Sequence, residues 1–412
     1  MTTFAVFFAL LAAAYVGSVL IGSRRGRGLA SGAEWLLLGF AAGPMGLSLL
    51  EPEVLDAFRQ IALVGVGWVT VAVGLEYGWV GARRIRLRTI VLANLAALAT
   101  AAAVAAAAGA ALALVFPDAG FLRRREHLVI ALGIAAALSD TARDAFRWTW
   151  QRLDEGGPLR RLLAELGDAD DLVPVALAAV AFALAPDGSV RLVSPLARVG
   201  AEAGIGLTLG LVAAALASAS FRRATVLGVL FGTSLTALGL AARLGLSGLG
   251  AGFALGLVLH VVSRHGEELR DLSLELERPV VLPALLLAGA SVEPLAHPAI
   301  VPLVLFAVGA RLVAKLGVGA LLLASSPAAR RGGWATVPAM AASSPLGPVI
   351  GLAFALRFPG PAGQAVLACA CASSLAGELS SAMAVRAALR AAGELTAAGD
   401  PEAEVPMPEA RP

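Results

Sequence analysis

Lysine is almost absent from this sequence. Among its 32 lysines and arginines Lys315 is the only lysine, and it lies within the apolar stretch 306–325. Charged residues make up 15% of the chain, whereas a soluble domain usually carries about a quarter. Hydrophobic residues reach 58%, and the mean hydropathy is +0.82. This composition argues against a soluble enzyme and predicts an all-α membrane protein that crosses the bilayer many times.

Cysteine and histidine are scarce as well. Cys369 and Cys371 are two positions apart, and such residues do not face each other on a helix, so we expect neither a disulfide nor a shared metal. No His/Cys cluster, nucleotide-binding GxxxxGK[ST] stretch or haem signature is present, so no cofactor is expected. The net charge of +3 is modest, and it predicts no nucleic-acid partner because cytoplasmic loops of membrane proteins collect arginine.

Apolar segments long enough to cross a bilayer, about 20 residues each, recur along the chain. The first segment has its arginines after it, unlike a signal peptide, so we expect it to be retained with the N-terminus outside. An odd number of crossings then places the C-terminus in the cytoplasm. Arginines concentrate in the loops that this topology puts inside, as in a bacterial-type inner membrane, and only Arg123–Arg125 oppose the trend. The predicted spans are 4–22, 34–50, 58–79, 89–116, 127–147, 160–186, 199–220, 224–242, 246–263, 279–294, 299–324, 335–357 and 362–386.

The chain therefore divides into a transmembrane domain, residues 1–392, and a short tail. The tail, 393–412, ends in the acidic and proline-rich stretch GDPEAEVPMPEARP. Such a composition cannot bury enough apolar surface to fold, so we predict a disordered cytoplasmic tail.

Ionisable side chains at membrane depth are the first functional candidates, because each costs about 2.5–3.5 kcal/mol at the bilayer centre. Lys315 lies deep within its span, and Arg311 lies one turn earlier on the same face. A buried lysine can release its proton near neutral pH, whereas arginine stays charged. The alternative is a cation that reaches the membrane surface, but the single use of lysine favours a functional role.

A pair of neighbouring carboxylates, Asp170 and Asp171, stands in GDADDLVPVALAAVAFAL (167–184), with Asp168 close by. The pair could cap the start of a helix. However, PLRRLLAEL (158–166) is itself helical in pattern, and a helix that begins there would carry the pair about 15 Å into the membrane. We favour this buried pair.

Two apolar segments contain residues that interrupt a helix. AALSDTARDAF (136–146) carries small polar side chains, and MAASSPLGPVIGLAF (340–354) carries prolines that break a helix. A surface helix end and two short helices joined by a loop are the respective alternatives. Paired interruptions indicate a transporter built from inverted repeats, and carboxylates, hydroxyls and freed carbonyls suit a bound cation. The residues concerned are Ser139, Asp140 and Thr141 in the first segment, and Ser343, Ser344, Pro345 and Gly347 in the second.

Several stretches together resemble the monovalent cation:proton antiporter superfamily, which includes bacterial sodium/proton antiporters and potassium-efflux systems. LLLGFAAGPMGLSLLEPEVLDAFRQIALVGVGWVTVAVGLEYG (36–78) resembles its opening helices, with a Gly-Pro-x-Gly-Leu turn and a helix ending in Gly-Leu-Glu. ADDLVP (169–174) is similar to its ion-site Asp-Asp, LSDTAR (138–143) to its unwound helix and AKLGVGA (314–320) to its lysine helix. The similarity covers about residues 34 to 386, and it rests on the order and spacing of these motifs.

The resemblance implies the sodium/proton antiporter fold, with two crossed discontinuous helices, and a homodimer in the bilayer. Core helices, about 89–186 and 299–386, would move like an elevator against the dimerisation helices. Asp171 would bind Na⁺ and the proton in turn, and Asp170 would share the Na⁺ site and pair with Lys315 when no cation is bound. Ser139, Asp140 and Thr141 would lie at the crossing. The chain departs from the family where SPLGPV replaces an Arg-Gly-Glu-like element.

The resemblance thus implies a sodium/proton antiporter rather than an enzyme, with Na⁺ or another monovalent cation and H⁺ as its transported ions. The alternatives are K⁺/H⁺ exchange of the potassium-efflux type, organic-anion/sodium symport on a related fold, and a membrane scaffold that no longer transports. An intramembrane protease is disfavoured, since no Gly-x-Ser-x-Gly stretch occurs. Glu378 and Glu202 also lie near membrane depth, and for each we favour a helix-end or interhelical hydrogen bond.

Overall fold

The computed structural model describes residues 32–82, 85–115, 124–141, 157–185, 194–219 and 223–395, and within these ranges the regular structure is helical. A π-helical turn covers Ala111–Val115, directly after the helix that ends at Ala110, and a 3₁₀ turn covers Gly333–Ala335. The helices are α1 (Ala33–Ala42), α2 (Pro52–Ala82), α3 (Leu87–Ala110), α4 (Arg124–Leu138), α5 (Pro158–Ala169), α6 (Leu172–Leu184), α7 (Pro195–Ala219), α8 (Arg223–Arg243), α9 (Leu249–Val262), α10 (Gly266–Ala290), α11 (Ile300–Ser325), α12 (Pro327–Arg331), α13 (Thr336–Ala339), α14 (Leu346–Arg357) and α15 (Pro361–Ala391).

Helix length separates two kinds of predicted span. By length and composition, 6 helices of the described ranges can each cross a membrane, whereas other apolar helices are shorter. The predicted spans 160–186 and 335–357 are each divided between two or more helices. Two boundaries were wrong: α1 ends at Ala42, before the turn at Gly43 and Pro44, and the span predicted at 279–294 is only the second half of α10. The first predicted span, 4–22, lies outside the described residues.

Glycines allow the helices of one group, formed by α1, α2, α7, α9 and α10, to pack backbone against backbone. A Cβ added at Gly256 of α9 would lie 2.1 Å from the carbonyl oxygen of Val71, and one added at Gly74 of α2 would lie 2.2 Å from that of Phe253. Small residues permit such close approach between membrane helices. These contacts join α2 and α9 into a rigid pair.

A second group contains α4, α5, α6 and α11–α15. Four of its helix ends surround a cavity of about 340 Å³, which is lined by Glu126 of α4, Ala185 after α6, Arg357 of α14 and Pro361 of α15, among others. We call this the cavity end of the group. Helix α15 runs from there for about 45 Å, at about 1.5 Å per residue.

At the opposite end of α15 the chain folds back onto the start of α5. The Glu394 carboxylate accepts hydrogen bonds from the backbone amides of Leu159 and Arg160, both at 2.8 Å. We call this the Glu394 end. Glu394 and Leu395, at the start of the predicted tail, therefore contact the helical body. The rest of that tail, 396–412, lies outside the described residues.

We expect Gly256→Ala to lower the free energy of unfolding by about 1–3 kcal/mol, because the added methyl group would meet backbone atoms that cannot move aside alone. The matched control is Gly228→Ala in α8, where an added Cβ meets nothing within 4 Å. Thermal unfolding in detergent measures both variants. Equal melting temperatures for the two variants would contradict the close packing of α2 and α9.

Candidate functional site

The two neighbouring aspartates lie in a gap between two helices. Asp170 is the C-terminal cap of α5 and Asp171 the N-terminal cap of α6. The helix predicted to pass continuously through the pair is therefore interrupted at it. Because α5 has 12 residues, the pair lies about 18 Å from the start of that helix. Only 2% of Asp170 and 5% of Asp171 is exposed, which confirms the predicted burial of the pair.

The other two interruptions predicted from the sequence face each other inside the second group. Helix α4 ends at Leu138, and Ser139, Asp140 and Thr141 follow in non-helical, buried positions. The remainder of that predicted span, 142–147, lies outside the described residues. Helix α13 ends at Ala339, residues 340–345 are not helical, and α14 begins after its N-cap Pro345.

Arg311 of α11 joins both of these interruptions. Its Nε donates to the carbonyl oxygen of Leu138 at 3.0 Å, and Nη2 donates to that of Asp140 at 3.3 Å. On the other side Nη1 donates to the carbonyl of Ala341 and Nη2 to that of Ala342, both at 2.9 Å. Carbonyls at a helix C-terminus carry partial negative charge and have no intrahelical donor. One guanidinium group therefore satisfies the ends of two helices.

Lys315, one turn further along α11, is 1% exposed and binds the first interruption. Its Nζ donates to the carbonyl oxygen of Ser139 at 2.8 Å and to the hydroxyl oxygen of Thr141 at 2.7 Å. The Asp170 carboxylate in turn interacts with the hydroxyl and amide of Thr141 and is attracted by the Lys315 charge. Thr141 thus lies between the ammonium and the carboxylate that we predicted to pair.

Asp140 connects the first interruption to the second. Its Oδ2 accepts hydrogen bonds from the amide of Ser344, at 3.2 Å, and from the Ser344 hydroxyl. This places a carboxylate at the start of α14, where the helix dipole favours negative charge. A Cβ added at Gly347 would lie 2.4 Å from the carbonyl of Ala137, so only glycine lets α14 approach the end of α4 this closely.

One oxygen of each of two carboxylates remains without a hydrogen-bond donor. Asp140 Oδ1 and Asp170 Oδ1 are buried and have no hydrogen-bond partner in the described part of the chain. A buried carboxylate oxygen without a donor is costly. These two atoms are therefore positions where a proton or a cation would be stabilising.

Asp171 faces residues that the sequence analysis missed. Tyr77 of α2 lies close enough for the charge of Asp171 to act on it. Beside them, Asn94 Nδ2 of α3 donates to the carbonyl oxygen of Ala169, at 2.9 Å, at the end of α5. A polar residue among the alanines of α3 was the available signal for Asn94. Asp168, another sequence candidate, is buried in the last turn of α5.

The remaining sequence candidates lie beyond these carboxylates. Glu378 is buried in α15, one residue after Gly377, where an added Cβ would lie 2.6 Å from the Cβ of Ser343. Glu202 accepts hydrogen bonds from Ser247 (2.9 Å from N and 2.8 Å from Oγ) and from the amide of Gly250 (3.1 Å). Glu202 of α7 therefore caps the start of α9, which confirms the interhelical role predicted for it.

The helices described above form two groups, and one of these groups contains helices that are interrupted around buried charges. A solved structure with this fold is that of the sodium proton antiporter MjNhaP1 from Methanocaldococcus jannaschii. The match has a TM-score of 0.69 at 14% sequence identity and covers 95% of this chain and 99% of that chain. It confirms the predicted fold class. No protein-family model and no curated protein sequence matches the chain.

We expect Arg311→Ala to lower the free energy of unfolding by about 3 kcal/mol or more, since each buried carbonyl without a donor costs about 1–3 kcal/mol. Arg311→Lys keeps the charge but loses the planar fork, so its effect should be intermediate. The control is Arg330→Ala, at an exposed position on α12. Thermal unfolding in detergent ranks the variants, and an Arg311→Ala protein as stable as the control would contradict the capping role.

Proposed function

We propose that this protein is a secondary active antiporter that exchanges a monovalent cation, Na⁺ in the first place, for H⁺. The observation that carries the proposal is the position of Lys315. The single lysine of the chain is buried at the end of α4, where it donates to the Ser139 carbonyl and to the Thr141 hydroxyl, and Thr141 also contacts one of the two buried aspartates, Asp170. The fold shared with a sodium proton antiporter supports the same conclusion.

Exchange follows from competition for the same oxygens. Asp171 and Asp170 are adjacent in sequence, and the charge of Asp140 acts on Asp170. Carboxylates that lie close together repel each other when ionised, so a proton or a cation among them is stabilising. Na⁺ prefers hard oxygen ligands such as carboxylates. Cation entry therefore expels the proton, and protonation from the opposite side releases the cation.

Lys315 balances the charge of this site. When no cation is bound, its ammonium group favours the ionised form of Asp170 across Thr141. A bound cation supplies that positive charge instead, and lysine, unlike arginine, can then lose its proton in a buried site. Asp140, whose Oδ1 is also without a donor, extends the set of oxygens that can hold a proton.

Access to the site would alternate by an elevator-type movement of the second group of helices against the first, in a homodimer anchored by the first group. The bonds of Arg311 support the movement of α4, α11 and α13 as one body, because they join these three helices inside the second group. K⁺/H⁺ exchange is the second candidate, since the same carboxylates could accept K⁺. A scaffold without transport fits less well, because a protein that no longer transports should lose costly buried charges such as Lys315 and the aspartate pair first.

We expect Asp171→Asn to abolish cation-dependent proton movement, because an amide neither carries the charge that binds the cation nor takes up and releases a proton near neutral pH. Proteoliposomes with an imposed proton gradient, tested separately with Na⁺, Li⁺ and K⁺, measure the flux. The control is Asp271→Asn, at an exposed position on α10. Normal exchange by Asp171→Asn would refute the assignment. A proton flux in the wild-type protein that responds to K⁺ but not to Na⁺ or Li⁺ would favour K⁺/H⁺ exchange.

We expect Lys315→Ala to move the pH profile of exchange to more alkaline values and to lower the melting temperature. Without the ammonium group the aspartates hold their protons to higher pH. The Ser139 carbonyl and the Thr141 hydroxyl also lose a donor. Lys315→Arg should keep the positive charge, and it should prevent the loss of that charge by deprotonation. An unchanged profile and melting temperature in Lys315→Ala would count against the proposed charge balance.

A further inference from the structure

The helix that leads to the aspartate pair has no cap of its own. The first turn of any α-helix contains backbone amides without intrahelical acceptors, and the preceding residue usually supplies a side-chain oxygen. In α5 that residue is Gly157, which has no side chain to offer. Pro158 lacks an amide hydrogen, and the amide of Arg161 donates to the Gly157 carbonyl at 3.0 Å. The amides of Leu159 and Arg160 are therefore the ones that need an acceptor.

Glu394, more than 230 positions further along the chain, supplies that acceptor. Its Oε1 binds the Leu159 amide and its Oε2 the Arg160 amide, both at 2.8 Å. Each of the two carboxylate oxygens thus takes one amide, and its negative charge also lies at the positive end of the helix dipole. A Cβ added at Gly157 would lie 1.9 Å from the Glu394 carboxyl carbon, so glycine is required there for the carboxylate to reach the amides.

The residues that pack around this contact connect it to the rest of the Glu394 end. Leu159 is fully buried and its side chain lies against Gly332, where an added Cβ would be 2.6 Å from it and 3.1 Å from the Ala388 carbonyl. Leu395, next to Glu394, packs on the same apolar cluster. The start of α5, the segment before α13 and the end of α15 therefore meet at one place. Helix α5 leads directly from this place to Asp170.

We propose that Glu394 is a positioning residue for the cation site: by capping α5 from the C-terminal segment, it holds the aspartate pair in the geometry that binds the cation. This inference rests on the proposed function. A helix of only 12 residues is marginal by itself and depends on its cap and its packing. Without Glu394 the first turn of α5 unwinds part of the time, and the binding geometry is then only partly populated.

The expected effect separates cation affinity from maximum rate. When the competent geometry is populated only in part, the apparent affinity falls by that fraction. A saturating cation selects the competent geometry again, so the maximum rate is largely preserved. A defect of folding alone would instead reduce the amount of active protein and leave the half-saturating concentration unchanged.

The experiment uses the full chain in proteoliposomes, with exchange measured against increasing Na⁺ concentration. We expect Glu394→Ala to raise the half-saturating Na⁺ concentration about three- to tenfold with the maximum rate within about twofold of wild type. Glu394→Gln keeps one acceptor oxygen, so its half-saturating Na⁺ concentration should lie between those of wild type and Glu394→Ala. The matched control is Glu165→Ala, which removes an acid on the same helix that pairs with the exposed Arg161 side chain instead of the backbone. Glu165→Ala should retain the wild-type half-saturating Na⁺ concentration.

Amide hydrogen exchange of residues 159–166 provides a second measurement that does not depend on transport. We expect exchange there to be about tenfold faster in Glu394→Ala than in wild type, and Na⁺ to slow it again because coupling between the cap and the cation is reciprocal. If Glu394→Ala does not fold, the half-saturating Na⁺ concentration of Glu394→Gln decides. An unchanged half-saturating Na⁺ concentration in whichever variant folds overturns this inference but leaves the proposed cation/proton exchange standing. A wild-type protein that exchanges no cation overturns the proposed function, and this inference with it.

Discussion

The structure depends on hydrogen bonds from one helix to the carbonyl groups of others. Interrupting a helix in an apolar environment exposes backbone carbonyls that water cannot reach, and each must find a donor within the protein. Arg311 and Lys315, one turn apart on α11, supply donors to both interruptions. The apolar sequence around them gives α11 a continuous helix of 26 residues, which is rigid enough to hold two broken ones together.

The same arrangement places opposite charges where a cation could replace one of them. The α11 cations contact the carbonyl oxygens of Asp140 and Ser139, so positive charge lies beside the buried aspartates. Under the proposed exchange Arg311 would keep its charge throughout, and Lys315 would be the residue able to lose it. Lys315 is the only lysine of the chain.

Composition and single residue types predicted much of this fold. Hydropathy placed the helices, the prolines of 340–354 predicted the second interruption, and a lone lysine with neighbouring aspartates predicted the buried charges. The break between α5 and α6 at Asp170 and Asp171 was not predicted, although Pro174 has no amide to bond the Asp170 carbonyl in a continuous helix. The contacts of Asn94 and Glu394 were not predictable either, since each joins segments that are distant in sequence and no local pattern records such pairing.

The way the freed carbonyls are satisfied has a consequence for ion selectivity. From the sequence, the freed carbonyls of the two interrupted segments were expected to help ligate a cation, but those of Ser139 and Ala342 already accept hydrogen bonds from Lys315 and Arg311. A cation entering here would meet anionic oxygens on side chains rather than a rigid ring of neutral dipoles. A small ion approaches such oxygens more closely and is attracted more strongly. That gain would offset the larger energy needed to strip water from Na⁺ than from K⁺.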